Sequence, residues 1–158
     1  MQTVKPIPNE RQALTPYVIV KDAAKAIDFY KKAFGATEAM RLSEPGGRIG
    51  HAEIRIGDAP IMLSDEYPEM DVRSPQSLGG SPVLIHLYVD DVDALASRAV
   101  AAGAKLLRPV ADQFYGDRSG TLTDPFGHRW MIATRKEDVS AAEMQKRYDA
   151  LMKAGGEH

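Results

Sequence analysis

Residues 18–22 read Val-Ile-Val-Lys-Asp and residues 87–91 read Leu-Tyr-Val-Asp-Asp, so two short apolar runs each end in aspartate. Apolar residues at helical spacing follow each run, and then a Gly-Ala pair begins at Gly35 and at Gly103. Val20 and Val89 are 69 residues apart, and the two glycines are 68 apart. Aspartate favours the start of a helix, and glycine favours the left-handed position after its end. The chain therefore contains two copies of one strand–helix unit.

Three further strands are predicted after each helix, because short β-prone runs alternate there with turn residues. They cover 37–42, 50–56 and 60–64 in the first repeat, and 105–110, 120–124 and 128–134 in the second, with a long loop before residue 120. The predicted fold class is α+β, with two βαβββ repeats. The first repeat spans 14–64 and the second 82–134, after an N-terminal arm at 1–13.

Two segments lie outside the repeats. Residues 65–81 are rich in Pro, Gly, Ser and acidic residues, which favours a linker with a solvated acidic start. Residues 135–158 are predicted to form a C-terminal helix and tail, because Ser140 and Glu143 have the spacing of a capping box. The apolar stripe of that helix should dock on this chain or on a partner.

Composition excludes several classes of protein. The chain has 158 residues, a formal net charge of −2, 44% hydrophobic residues and no cysteine. The lack of cysteine excludes disulfides, thiolate metal sites and a cysteine nucleophile. The sequence has no block of Lys and Arg of the kind that would suggest nucleic-acid binding. No apolar run approaches the ~20 residues of a membrane span. Residues 1–11 lack the apolar stretch of a signal peptide, so a cytoplasmic location is expected.

Alternation along the strands separates an aliphatic face, which should be buried, from a mixed face. Trp130 falls on the aliphatic face and is expected in the core. The mixed face carries polar and aromatic side chains that could bind a ligand: Tyr17, His51, Glu53, Arg55, His86, Tyr88, Thr121, Arg129 and Met131. Such a face is a solvated surface if it is open, and a pocket wall if it is concave. Alternation alone leaves both possibilities open.

The repeats, together with Ala102-Gly103-Ala104 and Asp124-Pro125-Phe126-Gly127-His128, resemble the vicinal oxygen chelate superfamily. That superfamily includes glyoxalase I, bleomycin-resistance proteins and extradiol dioxygenases, and the similarity covers residues 14–134. It implies a U-shaped mixed sheet around a concave site, usually completed as a homodimer. In the catalytic members, two side chains from each repeat hold a divalent metal.

This sequence departs from the family's metal-binding pattern. The corresponding positions fall on Thr15, Leu84 and Met131, and the fourth position falls around His51 or Glu53. A hard divalent ion prefers imidazole or carboxylate, so no metal and no other cofactor is expected. A divalent metal held by His51, Glu53 and His86 is the alternative.

The segment 112–120 should border the pocket, with Tyr115 and Arg118 contacting the ligand. In the other interpretation of this segment, Phe114 packs as a lid and Asp117 pairs with Arg118 on the surface. These residues complete the predicted ligand site, whose partner is a small organic molecule.

Three hypotheses for function remain. The first is a metal-independent binding protein of the bleomycin-resistance type, which we place ahead of the others. The second is a metal-dependent lyase, isomerase or dioxygenase with the displaced ligands. The third is a metal-free enzyme in which His51 or Glu53 is the general base and Tyr88 or Arg129 steadies an anion.

Overall fold

The computed structural model describes residues 4–8 and 13–156, so most of the predicted N-terminal arm lies outside the described residues. The first repeat comprises β1 (Tyr17–Val20), α1 (Ala23–Phe34), β2 (Thr37–Ser43), β3 (Ile49–Ile56) and β4 (Ala59–Asp65). The second comprises β5 (Leu84–Tyr88), α3 (Val92–Ala101), β6 (Lys105–Asp112), β7 (Asp117–Thr123) and β8 (Arg129–Arg135). A short helix α2 (Pro75–Leu78) lies between the repeats, and α4 (Ala141–Lys153) follows them.

Each repeat forms a four-stranded mixed sheet of the same topology, in the orders β1-β4-β3-β2 and β5-β8-β7-β6. The first strand of each repeat runs parallel to the last, and the other pairs are antiparallel. Tyr17 lies opposite Met62 in the first sheet, and His86 lies opposite Met131 in the second. The predicted α+β class with two βαβββ repeats and a C-terminal helix is confirmed.

The helices begin where the sequence predicts. The Asp22 carboxylate accepts a hydrogen bond from the Lys25 amide at 3.1 Å, and the Asp91 carboxylate accepts one from the Ala94 amide at 3.0 Å. Gly35 ends α1 with φ of 67°, a left-handed conformation that glycine adopts without a steric penalty. These caps satisfy amide and carbonyl groups that have no partner inside a helix.

One hydrophobic core joins the two repeats. It contains the aliphatic faces of both sheets together with α1 and α3, which contact each other. Trp130 is 1% exposed and its ring lies 4.7 Å from that of Phe34, so its predicted place in the core is confirmed. Each mixed face consequently lies on the side of its sheet that is turned away from this core.

A buried carboxylate connects the repeats inside the core. Asp124 is 3% exposed, and its Oδ2 accepts hydrogen bonds from the Tyr30 hydroxyl at 2.6 Å and from the Trp130 indole at 2.9 Å. Its Oδ1 accepts bonds from the amides of Phe126 and His128. Burial raises the pKa of Tyr30 well above its ordinary value, and the nearby carboxylate adds to this shift. Asp124 thus fixes the turn before β8 against helix α1.

The segment 65–81 is more ordered than a solvated linker. It contains a 3-10 helix (Pro68–Met70) as well as α2. Asp65, predicted to begin the solvated part, is the last residue of β4, and its carboxylate accepts bonds from the amides of Ala23 and Ile49 at 2.8 and 2.6 Å. The prediction that Asp65 is solvated was wrong, because its carboxylate is the acceptor for two backbone amides.

The C-terminal helix packs on its own chain. Ser140 caps it as predicted, and the Tyr148 ring lies 5.5 Å from that of Phe114. The Arg147 guanidinium donates to the Phe114 carbonyl at 3.1 Å and also pairs with Glu137. Helix α4 therefore supports the β6–β7 turn. Within the described residues, no helix is long and apolar enough to cross a membrane.

Candidate functional site

A cavity of about 450 Å³ lies on the mixed face of the second sheet. Strand pairing explains its floor, because His86, Met131 and Thr121 lie opposite one another on β5, β8 and β7. The turn between β6 and β7 forms one wall. The lining residues are His86, Tyr88, Arg108, Gln113, Phe114, Tyr115, Asp117, Ser119, Gly120, Thr121 and Met131.

Hydrogen bonds fix the polar groups of this cavity. The Tyr88 hydroxyl donates to Asp117 Oδ2 at 2.7 Å, and this bond to a carboxylate raises the pKa of Tyr88. The hydroxyls of Tyr115 and Ser119 are 2.9 Å apart, and the His86 ring lies 4.6 Å from that of Tyr88. Aromatic walls with a few fixed polar groups are typical of small-molecule sites. The chemistry available is stacking and hydrogen bonding to a small, partly aromatic ligand.

A second group of predicted residues lies on the mixed face of the first sheet. The Tyr17 hydroxyl is 2.9 Å from His51 Nδ1, and His51 Nε2 is 3.1 Å from Glu53 Oε1. Arg55 follows on the same face of β3. Strands β1 and β3 both pair with β4, which brings these side chains together across it.

The predicted site is thus divided between two sheets. His86, Tyr88, Tyr115, Thr121 and Met131 line the cavity of the second sheet. Tyr17, His51, Glu53 and Arg55 belong to the first sheet, and Arg129 lies exposed at the start of β8 outside the cavity lining.

The structure places Arg118 away from the mixed face of the second sheet. Its guanidinium makes two hydrogen bonds to Asp93 on α3, at 2.8 and 3.0 Å, and one to Asp112 at 3.3 Å. The predicted loop is shorter than expected, because β6 extends to Asp112 and β7 begins at Asp117. Arg118 therefore lies in a strand, on the face it shares with Leu122. The alternative pairing of Arg118 with Asp117 is also not observed, since Asp117 accepts from Tyr88.

Several residues that line the cavity are not among the ligand-binding residues predicted from the sequence. Gln113, Asp117 and Ser119 contribute to the cavity, yet they fall in the segment predicted as a loop. Extending the alternation of β7 back from Thr121 would have placed Ser119 and Asp117 on the ligand face. Arg108 lies opposite Thr121 on the neighbouring strand, a pairing that sequence spacing does not give.

The residues of this chain do not fit the family's metal site. Met131, in the cavity lining, offers a thioether, and Leu84, outside that lining, offers only an alkyl group; neither suits a hard divalent ion. His51 and Glu53 contact each other on the first sheet. His86 lies on the second sheet, where it contacts Tyr88. Across residues 4–8 and 13–156, no three His, Cys, Asp or Glu side chains cluster as metal ligands. The alternative set His51, Glu53 and His86 is therefore not assembled within one chain.

Comparison with known proteins agrees with this fold. The profile of the glyoxalase/bleomycin resistance protein/dioxygenase superfamily matches residues 13–132, and the chain belongs to that family. It is similar to the uncharacterised protein Rv0887c of Mycobacterium tuberculosis, with 46% identity over 140 residues, covering 87% of this chain and 82% of that protein.

Solved structures show the same architecture. The Arabidopsis thaliana gene product At5g48480 superposes with a TM-score of 0.63 at 27% identity, over 77% of this chain and 98% of that one. Protein PA1353 of Pseudomonas aeruginosa superposes with a TM-score of 0.64 at 26% identity, over 80% of this chain and 99% of that one.

Proposed function

We propose that this protein binds a small, partly aromatic organic molecule in the cavity of the second sheet, without a bound metal. The observation that carries the proposal is the cavity itself, about 450 Å³ in volume and lined by rings and fixed hydroxyls. A volume of this size falls within the usual range for small-molecule sites. The unsuitable donors at Leu84 and Met131 support independence from metal.

A matched pair of substitutions tests the cavity. Thr121 and Thr123 lie on the same face of β7, but only Thr121 belongs to the cavity lining. Thr121→Phe should fill the cavity, and Thr123→Phe should leave it open. Binding of benzoate, indole, anthranilate and 2-naphthol would be measured by saturation-transfer NMR and calorimetry. We expect at least one compound to bind the protein, at least tenfold more weakly to Thr121→Phe and unchanged to Thr123→Phe.

The same titration tests independence from metal. Dialysis against EDTA should leave the affinity unchanged. Loss of binding with EDTA and recovery with Mn²⁺ would instead favour the metal-dependent lyase, isomerase or dioxygenase. Equal binding to both phenylalanine variants, or binding of none of the probes, would contradict the cavity as the site.

The proposal includes a homodimer. Val83, just before the edge strand β5, is 61% exposed, and Leu84 and Tyr88 at the two ends of that strand are 49% and 58% exposed. Exposed apolar side chains at a strand edge favour association with another chain. Light scattering should give twice the 17.3 kDa of one chain, and Leu84→Glu should shift the mass towards the monomer. A monomer at micromolar concentrations of the unmodified protein would contradict this part.

A further inference from the structure

Three side chains on the first sheet form a continuous chain of hydrogen bonds. Glu53 contacts His51 at 3.1 Å, and His51 contacts the Tyr17 hydroxyl at 2.9 Å through its other ring nitrogen. The side chains of His51 and Glu53 are 24% and 15% exposed, whereas Tyr17 is 46% exposed. The chain of bonds thus leads from a shielded carboxylate to the hydroxyl of a half-exposed tyrosine.

The bonding pattern determines the direction in which a proton can move. An ionised carboxylate only accepts hydrogen bonds, so in the tautomer that satisfies Glu53 the ring proton of His51 lies on Nε2. The Nδ1 atom then carries a lone pair and accepts the Tyr17 proton. A nucleophile bonded to a base, with the base oriented by a third group, is the arrangement that activates weak nucleophiles in enzymes.

The fold itself does not require these residues. The second sheet has the same topology, and register places His86, Ser119 and Thr121 where the first sheet has Tyr17, His51 and Glu53. At the positions of His51 and Glu53 the second sheet has the hydroxyls of Ser119 and Thr121 in place of an imidazole and a carboxylate. The hydrogen-bonded triad is therefore a local addition to the repeat.

A largely apolar cavity of about 380 Å³ meets the triad at Tyr17, and neither His51 nor Glu53 belongs to its lining. Tyr17 forms one of its walls, and Ile19, Tyr67, Met70 and Val72 contribute most of the others. Apolar walls beside a half-exposed tyrosine favour a small, largely apolar molecule with its polar group towards Tyr17.

We propose that Tyr17, His51 and Glu53 form a second, catalytic site that transfers acyl groups from small apolar esters to water. The Tyr17 oxygen bonds to the ester carbonyl carbon as its proton passes to His51 Nδ1. The carbon–oxygen bond of the ester then breaks, and the leaving alkoxide takes the proton from His51. Water attacks the acyl–Tyr17 ester with His51 again as base, which releases the carboxylic acid and restores the Tyr17 hydroxyl.

The test uses p-nitrophenyl acetate as the probe. Release of p-nitrophenolate would be followed by absorbance, and acetylation would be mapped by mass spectrometry. Tyr88 is the internal control, because it is 58% exposed and its hydroxyl donates to a carboxylate without an intervening imidazole. We expect at least tenfold more acetyl on Tyr17 than on Tyr88. His51→Gln should reduce Tyr17 acetylation at least tenfold, and Glu53→Gln should reduce it severalfold.

Two results would overturn the proposal. One is equal acetylation of Tyr17 and Tyr88 in the unmodified protein, a comparison that needs no variant to fold. The other is unchanged Tyr17 acetylation in a folded His51→Gln protein. Because the triad and the cavity of the second sheet lie on different sheets, the outcome for this site does not depend on whether the proposed ligand binds.

Discussion

Removing the Asp124 carboxylate should strongly destabilise the fold. It accepts four hydrogen bonds, and two of the donors, Tyr30 and Trp130, are 0% and 1% exposed. In Asp124→Ala these two donors stay buried without an acceptor, at a cost of about 1–3 kcal/mol each. Of the two backbone amides in the turn, that of His128 is partly buried, so water can replace part of its bond, whereas that of Phe126 is buried and adds to the cost. The free energy of unfolding should therefore fall by about 2–6 kcal/mol, a large part of the ~5–15 kcal/mol typical of a folded domain.

Urea unfolding followed by Trp130 fluorescence measures this loss, with circular dichroism as a second probe. Tyr30→Phe is the control, because it removes one donor and should cost about 1 kcal/mol. In the Tyr30→Phe background, Asp124→Ala should lower the free energy of unfolding by less than it does alone, since one of the two donors left without an acceptor is already absent. A loss below about 1 kcal/mol for Asp124→Ala, or strict additivity of the two changes, would refute the reasoning.

Two further predictions concern segments around the core. Hydrogen bonds from Ser74 and Ser77 lower the pKa of Glu66 to about 2, so its stabilising effect should be present above pH ~4.5 and disappear as pH falls towards 2. Urea midpoints of the protein and of Glu66→Gln should consequently differ at pH 7 and converge at low pH. Gly116 has φ of 97°, and a Cβ there would lie 2.7 Å from the Glu137 carbonyl, so Gly116→Ala should cost about 1–3 kcal/mol in urea unfolding. Gly46→Ala, in open space, should cost much less.

Local chemistry explains why much of the fold could be predicted. Asp22 and Gly35 have helix-cap roles that depend on their own side chains or on the lack of one. Alternation along β3 likewise places Ala52 and Ile54 in the core and His51 and Glu53 on the other face. Side chains alternate between the two faces because of the strand backbone itself, so this alternation is the same whatever the strand packs against.

The sequence-based predictions failed where the structure depends on contacts between residues far apart in the sequence. Asp65 looks like the start of a solvated acidic segment, yet two amides far away in sequence use its carboxylate. The sequence predicts Arg118 in a loop, because the predicted strand begins only at residue 120, whereas β7 begins at Asp117. Alternation along the longer strand directs Arg118 to the face where it pairs with Asp93. The division of the site follows from the packing of both aliphatic faces into one core, which no spacing within a repeat can reveal.

The two sheets share one strand topology but present different side chains on their mixed faces. Across the second sheet, His86, Met131, Thr121 and Arg108 follow one another in register and floor the proposed ligand cavity. Across the first, the same positions hold Tyr17, Met62, Glu53 and Met40. Methionine occupies the second strand of both rows, β4 or β8, while the other positions differ in charge and in hydrogen-bonding capacity. The strand topology therefore fixes where side chains meet, and the flanking residues decide what each face can do. A shared fold cannot by itself assign the function of either face.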